Sequence, residues 1–235
     1  MENIWQTNPA GIAERYDAGL KRHMVGIYRT MALGLLVTGG VAWAVASTPA
    51  LTAAIFGTPL KWVAMLAPLA FVMFFSFRVD RMTTGGARAA FYGFSALMGV
   101  SLASLFLVFT GISIAQTFLI AAIMFGTVSL WGYTTNRDIS GWGSFLMMGV
   151  IGVVVASLVN IFLGSSMLHL IISLVGVAVF TALTAWDTQR AKSEYLAYAG
   201  TEAAEKLQVM SALGLYLNLI NLFQLLLTFT GQQRE

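Results

Sequence analysis

Two stretches of this chain, from Ala89 to Asn136 and from Ile139 to Trp186, contain no Asp, Glu, Lys or Arg over 48 residues each. A helix needs roughly 20 apolar residues to cross the hydrocarbon core of a bilayer, so each stretch has room for two crossings and a turn. A helix on the surface of a soluble domain keeps a wet face, and neither stretch offers one. Hydrophobic runs in the rest of the chain bring the number of crossings to seven, at about 28–47, 60–77, 88–109, 113–133, 142–163, 168–187 and 209–230. The breaks have local causes. Thr48-Pro49 and Thr58-Pro59 bound the first loop, because the residue before a proline avoids the helical region. Gly85-Gly86, Phe109-Thr110-Gly111 and Gly164-Ser165-Ser166 punctuate later turns. The pattern predicts an all-α polytopic membrane protein, a seven-transmembrane-helix bundle over residues 28–235 preceded by a tail over residues 1–27.

Charge sets the expected orientation. With seven spans and the N-terminus inside, Arg15, Lys21, Arg22, Arg29, Arg78, Arg81, Arg88, Arg137, Arg190, Lys192 and Lys206 all fall on the cytoplasmic side, 11 of the 13 basic residues. Only Lys61 and Arg234 fall outside. That bias is the one the positive-inside rule demands, and an even number of spans would destroy it. The expected topology is therefore N-terminus inside and C-terminus outside. The tail carries Glu14, Arg15, Asp17, Lys21, Arg22 and His23. It reads as a solvated, topology-anchoring leader, with an amphipathic surface helix as the alternative. Ala44-Val45-Ala46 resembles a cleavage site, but the long basic region before it favours an uncleaved signal anchor.

Composition narrows the chemistry. Hydrophobic residues make up 58% of the chain and charged residues 10%. The net charge of +3 belongs to topology and does not point to nucleic acid. With no cysteine, disulfides, thiolate metal sites and cysteine nucleophiles are excluded. The two histidines, His23 and His169, fall on opposite sides of the membrane in this topology. No metal site, cofactor or enzymatic activity is expected, since no nucleophile–base pair can be assembled. Gly39 and Gly40, Gly93 and Gly99, and Gly149 and Gly152 mark expected close helix approaches.

Asp187 is the ionisable residue that needs explaining. It closes the sixth span, and Ser173, Gly176, Phe180, Thr184 and Asp187 share one helical face. The seventh span carries a matching stripe: Ser211, Gly214, Asn218 and Asn221 fall at i, i+3, i+7 and i+10. Asparagine amides cannot be satisfied by lipid, so this stripe faces protein. In an antiparallel pair, Asp187 and Asn218 reach similar depth. Arg190, at i+3, is the plain partner of a solvated Asp187, whereas Arg78 or Arg81, at the end of the second span, could reach a carboxylate held inside the bundle. Asn160, Thr184 and Asn221 are the other polar residues expected inside the bundle or along a pore.

Four motifs resemble the Bax inhibitor-1 (transmembrane Bax inhibitor motif) family in its bacterial branch. They are Phe77-Arg78-Val79-Asp80-Arg81-Met82, Gly132-Tyr133-Thr134-Thr135-Asn136-Arg137-Asp138, Leu183-Thr184-Ala185-Trp186-Asp187-Thr188-Gln189, and the run Leu213-Gly214-Leu215-Tyr216-Leu217-Asn218-Leu219-Ile220-Asn221-Leu222-Phe223. The resemblance covers nearly the whole chain from about Tyr28. It implies a seven-helix bundle with the seventh helix central, in a bacterial inner membrane. It also implies a pH-influenced calcium leak, in which two aspartates near the cytoplasmic side share a proton and latch the pore, and an arginine of the second helix pairs with one of them. On that pattern the first aspartate is Asp187 and the arginine is Arg78 or Arg81. The second aspartate position holds Asn218, which has no ionisable group, so the coupling between two acids is lost. The alternative expectation is a regulator without transport activity, such as a modulator of an FtsH-type membrane-anchored protease or of a stress response. The expected partners are membrane lipids, Ca2+ as permeating ion and such a protease.

Overall fold

The hydrophobic runs fold as seven long helices, and the computed structural model describes residues 9–234. They are α1 (Pro9–Ser47), α2 (Leu60–Arg78), α3 (Thr84–Leu102), α4 (Gly111–Thr134), α5 (Gly143–Leu163), α6 (Ser166–Tyr198) and α7 (Glu202–Thr230). All seven include segments long and apolar enough to cross a membrane, so the chain is a multi-pass membrane protein. Short helices at Pro49–Phe56 and Leu105–Val108 and 3-10 turns at Val79–Arg81 and Ser140–Trp142 complete the described residues. Among these residues there is no strand, only an isolated bridge between Phe109 and Gln233.

Helix starts follow capping chemistry. Thr83, Thr110 and Ser165 each accept a backbone N–H of the first turn of α3, α4 and α6, satisfying donors that a helix end otherwise leaves open. Gly164 ends α5 at φ 61, a left-handed conformation that glycine adopts without steric cost. The loop geometry differs from expectation at two points. Gly85 and Gly86 lie inside the first turn of α3, and the chain reverses instead at Val79–Thr83. The α6–α7 connection contracts to Ala199, Gly200 and Thr201. Residues 188–198 are good helix formers, and Arg190 pairs with Glu194 one turn on at 2.7 Å, so α6 continues past its apolar stretch.

The N-terminal segment also departs from the expected solvated leader. Residues 17–27 continue α1 without a break, and Leu20, His23, Met24 and Ile27 are buried. Their spacing places them on one helical face, which packs into the core beside α7. The first eight residues of the expected tail lie outside the described ones.

The seventh helix is the axis of the bundle. Buried residues make up 56% of its most apolar window, against at most 33% in any other span. Leu215, Tyr216, Leu219, Leu222 and Leu227 are fully enclosed. Around α7 stand α1, α3, α4 and α6, with α2 against α3. The fifth helix is peripheral: only Gly143 and Leu146 are buried, and it rests mainly on α6.

Some expected glycine contacts form and others do not. Gly99 touches the Thr38 carbonyl and Val41 of α1, and Gly149 touches Val179. Gly39, Gly40, Gly93 and Gly152 instead face open space. Another close approach joins α4 to the backbone of α6. A Cβ at Gly132 would come within 2.5 Å of the Ala185 carbonyl oxygen, so only glycine lets α4 reach the α6 backbone there.

A polar knot ties α1, α3 and α7 in the middle of the core. Thr38 Oγ1 lies 2.6 Å from Tyr216 Oη, 2.8 Å from the Ser95 carbonyl and 2.9 Å from the Gly34 carbonyl. Carbonyls only accept, so the Thr38 hydroxyl donates to them and accepts from Tyr216.

Candidate functional site

The segment Trp186-Asp187-Thr188-Gln189 sends four consecutive side chains in four directions around α6. The Asp187 carboxylate points to α7, where Asn218 Nδ2 donates to its Oδ2 at 2.6 Å. Thr188 points to α4 and lies 2.8 Å from Ser129 Oγ, which lies 2.6 Å from Tyr28 Oη on α1. Thr188 also donates to the Thr184 carbonyl at 2.7 Å. With one proton per hydroxyl, the chain runs from Tyr28 through Ser129 and Thr188 to a backbone oxygen. Trp186 Nε1 donates to the Ser140 carbonyl at 3.1 Å, and its ring packs against Gly143. Gln189 accepts from Ile139 N at 2.9 Å and donates to the Arg137 carbonyl at 2.8 Å. Trp186 and Gln189 thus pin the α4–α5 connection, while Asp187 and Thr188 face the interior.

Asp187 is half-buried, and Asn218 is 5% exposed. Gly214 stands opposite the carboxylate, and a Cβ there would already be in van der Waals contact with both its oxygens. The charged groups that bear on Asp187 are Arg190 and Glu194, paired with each other and joined to α7 through Ser211, which donates to Glu194 Oε2 at 3.3 Å.

The arginines of the second helix are not in this arrangement. Arg78 is exposed and lies over the Phe74 ring at 5.6 Å. Arg81 is also exposed, in the 3-10 turn. Neither makes an ion pair with Asp187 among the described residues. The expected Arg78 or Arg81 partner is therefore not in place; Arg190, the i+3 alternative on the same helix as Asp187, is the nearer cation, and its ion pair is with Glu194. The turn at Val79–Arg81 ends α2 before either guanidinium is carried to α6.

The other polar residues occupy the far half of the bundle. Thr184 is fully buried and donates to the Phe180 carbonyl at 2.8 Å. Asn221 donates to the Leu217 carbonyl at 2.9 Å. Asn160 shapes the α5–α6 turn, its Oδ1 accepting from Ser165 N at 3.1 Å. Asn160 and Asn221, with Ser173, His169, Gln224 and Thr228, line a cavity of about 620 Å³ among α5, α6 and α7. Phe180 also lines it, and Asp187 does not. Asn221 is one turn from Asn218, and Phe180 is one turn from Thr184. A polar stripe on α7, Thr228, Gln224, Asn221 and Asn218, therefore leads from the cavity to the carboxylate, interrupted on the α6 side by the Phe180 ring. The hydroxyl chain of Tyr28, Ser129 and Thr188 was not anticipated. Its trace in the sequence is that Ser129 continues a face of α4 on which Ser113 and Thr117 also interrupt the apolar residues.

The three motifs containing Gly132, Asp187 and Asn218 come together at this one junction. Comparison with known proteins gives a consistent picture. The family described as "Inhibitor of apoptosis-promoting Bax1" matches residues 20–235. An uncharacterized protein of Rickettsia prowazekii is 44% identical over 220 residues, covering 94% of this chain and 93% of its own. An uncharacterized protein of Caulobacter vibrioides is likewise 44% identical, covering 93% and 92%. A protein of Escherichia coli K12 named "Inner membrane protein YbhL" is 42% identical, covering 92% of this chain and 94% of its own.

Proposed function

This chain belongs to the Bax inhibitor-1 family, and from that membership we propose that it is a cation leak pathway of a bacterial inner membrane, with calcium as the permeating ion and Asp187 as its gate. The observation that carries the proposal is the Asp187–Asn218 contact at the inner end of the polar stripe. An ionisable group on a membrane helix is costly and is a functional-site candidate for that reason. Here the cavity beside Asn221, mostly apolar in lining but edged by Asn160, Ser173, Asn221, Gln224 and Thr228, supplies one half of the path. Phe180 and the Asp187–Asn218 pair close the other half. The basic end of the bundle is taken as cytoplasmic on the positive-inside rule, and no enzymatic step is assigned.

Calcium flux into liposomes containing the purified chain tests this reading. The unmodified chain is expected to pass calcium, and Asp187→Asn to abolish the flux by removing the one carboxylate of the path. Flux equal to that of protein-free liposomes would refute it. Such a result would favour the second reading, a non-transporting regulator of a membrane-anchored protease or of a stress response. That reading draws support from Asn218, since a single acid held by an amide is a weaker pH latch than two coupled acids.

A further inference from the structure

At the end of the bundle that carries most of its basic residues, a groove of about 420 Å³ lies between α1 and α3. Arg22, Arg29 and Arg88 line it together with Tyr92, Thr30 and Gln208, and no acidic residue is among its lining residues. Arg22 and Arg29 are seven residues apart, so they share a face and sit about 10 Å apart along the helix. All three arginines are exposed, and none forms an ion pair among the described residues. Snorkelling, in which a long side chain lifts its charge to the interface, accounts for one arginine on a lipid-facing helix. It does not account for three converging on one groove, where like charges repel unless an anion lies between them.

One of the three is held in place by a built contact. Gln208 of α7 reaches across α1, its Nε2 donating to the His23 carbonyl at 3.0 Å while its Oε1 accepts from Arg88 at 3.3 Å. Residue 26 has to be glycine for this, because a Cβ there would occupy the Gln208 amide. The planar guanidinium fork matches phosphate oxygens in a bidentate manner. The groove also opens sideways. Val25 and Leu33 line it and are 56% and 42% exposed, giving an apolar strip that continues from the arginines into the span. A soluble anion has no use for that strip, whereas an acyl chain does.

We propose that this groove binds an anionic phospholipid, its phosphate held by Arg22, Arg29 and Arg88 and its acyl chain running along Val25 and Leu33. Basic pockets between transmembrane helices are suited to such headgroups.

Native mass spectrometry of the purified full chain, with phosphatidylglycerol or phosphatidylcholine added, reads lipid retention directly. A basic side chain near a membrane surface changes affinity by about fivefold. Phosphatidylglycerol retention is expected to fall by about that factor in Arg29→Gln and about a hundredfold in the triple variant Arg22→Gln, Arg29→Gln, Arg88→Gln. Arg137→Gln, which removes a charge outside the groove, is expected to leave retention unchanged, and phosphatidylcholine is expected to dissociate from every form. Gly26→Ala, which keeps every charge and displaces Gln208, is expected to weaken retention as well. The proposal is overturned if Arg137→Gln loses as much as Arg29→Gln, if the triple variant retains the lipid, or if phosphatidylcholine is held equally. Displacement of the lipid by inorganic phosphate would show a site for the free anion and would overturn the lipid assignment. Far-UV circular dichroism and elution volume check folding, and if the triple variant misfolds, Arg29→Gln alone decides.

Discussion

Asn218 donates a 2.6 Å hydrogen bond to Asp187 across the α6–α7 interface, so an amide stands where the resemblance drawn from the sequence implies a second acid. Asn218→Asp supplies that acid. Two carboxylates at this distance cannot both ionise cheaply and titrate as a pair. Calcium flux through Asn218→Asp is expected to change with pH between about 6 and 8, and flux through the unmodified chain to change less. Identical pH profiles in liposomes would exclude a latch at this position.

Asp138 serves as the control for that experiment. It lies in the exposed α4–α5 connection, where hydrogen bonds from Ser140, including Ser140 N at 2.9 Å, hold its carboxyl below the usual aspartate value. A depressed folded value stabilises the fold above the unfolded value, and the effect disappears as pH falls through the folded one. Both lie well below neutrality, so Asp138→Asn is expected to leave the flux profile between about pH 6 and 8 unaltered. A changed profile would mean that the loop, and not the Asp187 junction, senses protons.

The Gly132–Ala185 approach gives a stability prediction. Gly132→Ala puts a methyl group within 2.5 Å of a backbone oxygen, and backbone cannot rotate away as a side chain can. A loss of about 1–3 kcal/mol is expected from the overpacking. At Gly93, which faces open space, the same substitution is expected to be neutral or slightly favourable through helix propensity. Thermal unfolding of the two variants in one detergent makes the comparison, and equal loss at both positions would contradict the packing described.

Tyr216 and Thr38 differ in what each leaves behind. Tyr216→Phe removes one donor, and Thr38 keeps its carbonyl partners, so a loss of about 1 kcal/mol is expected. Thr38→Val takes from the fully buried Tyr216 hydroxyl its 2.6 Å partner and leaves it only the Ser95 side chain, so it is expected to cost more, about 1–3 kcal/mol. The reverse order of stabilities would contradict the assigned donor direction.

Much of this architecture is legible in the sequence because lipid simplifies the code. Charge-free runs of fixed length define the spans, and turns at Pro49, Thr110 and Gly164 fall where proline, a threonine cap and a left-handed glycine place them. The register of Asp187 against Asn218 follows from two polar stripes on antiparallel neighbours. Contacts between helices distant in the chain are not encoded so locally. Ser129 meets Thr188 and Tyr28 only because α4 lies between α1 and α6, and no periodicity states that. Arg78 and Arg81 show the converse: their helix ends at the expected place, but the turn after it points them away from the carboxylate. Gly39 and Gly40 have the composition of a packing site without a neighbour to pack against.

The position of α7 has a consequence for biosynthesis. Of the seven helices the central one is made after the other six, so α1, α3, α4 and α6 are inserted before the helix they pack around. Thr38 and Asp187 wait without their final neighbours until Tyr216 and Asn218 arrive. A chain stalled before Glu202 leaves those four helices without the surface they pack on, with buried polar side chains open that the folded bundle closes.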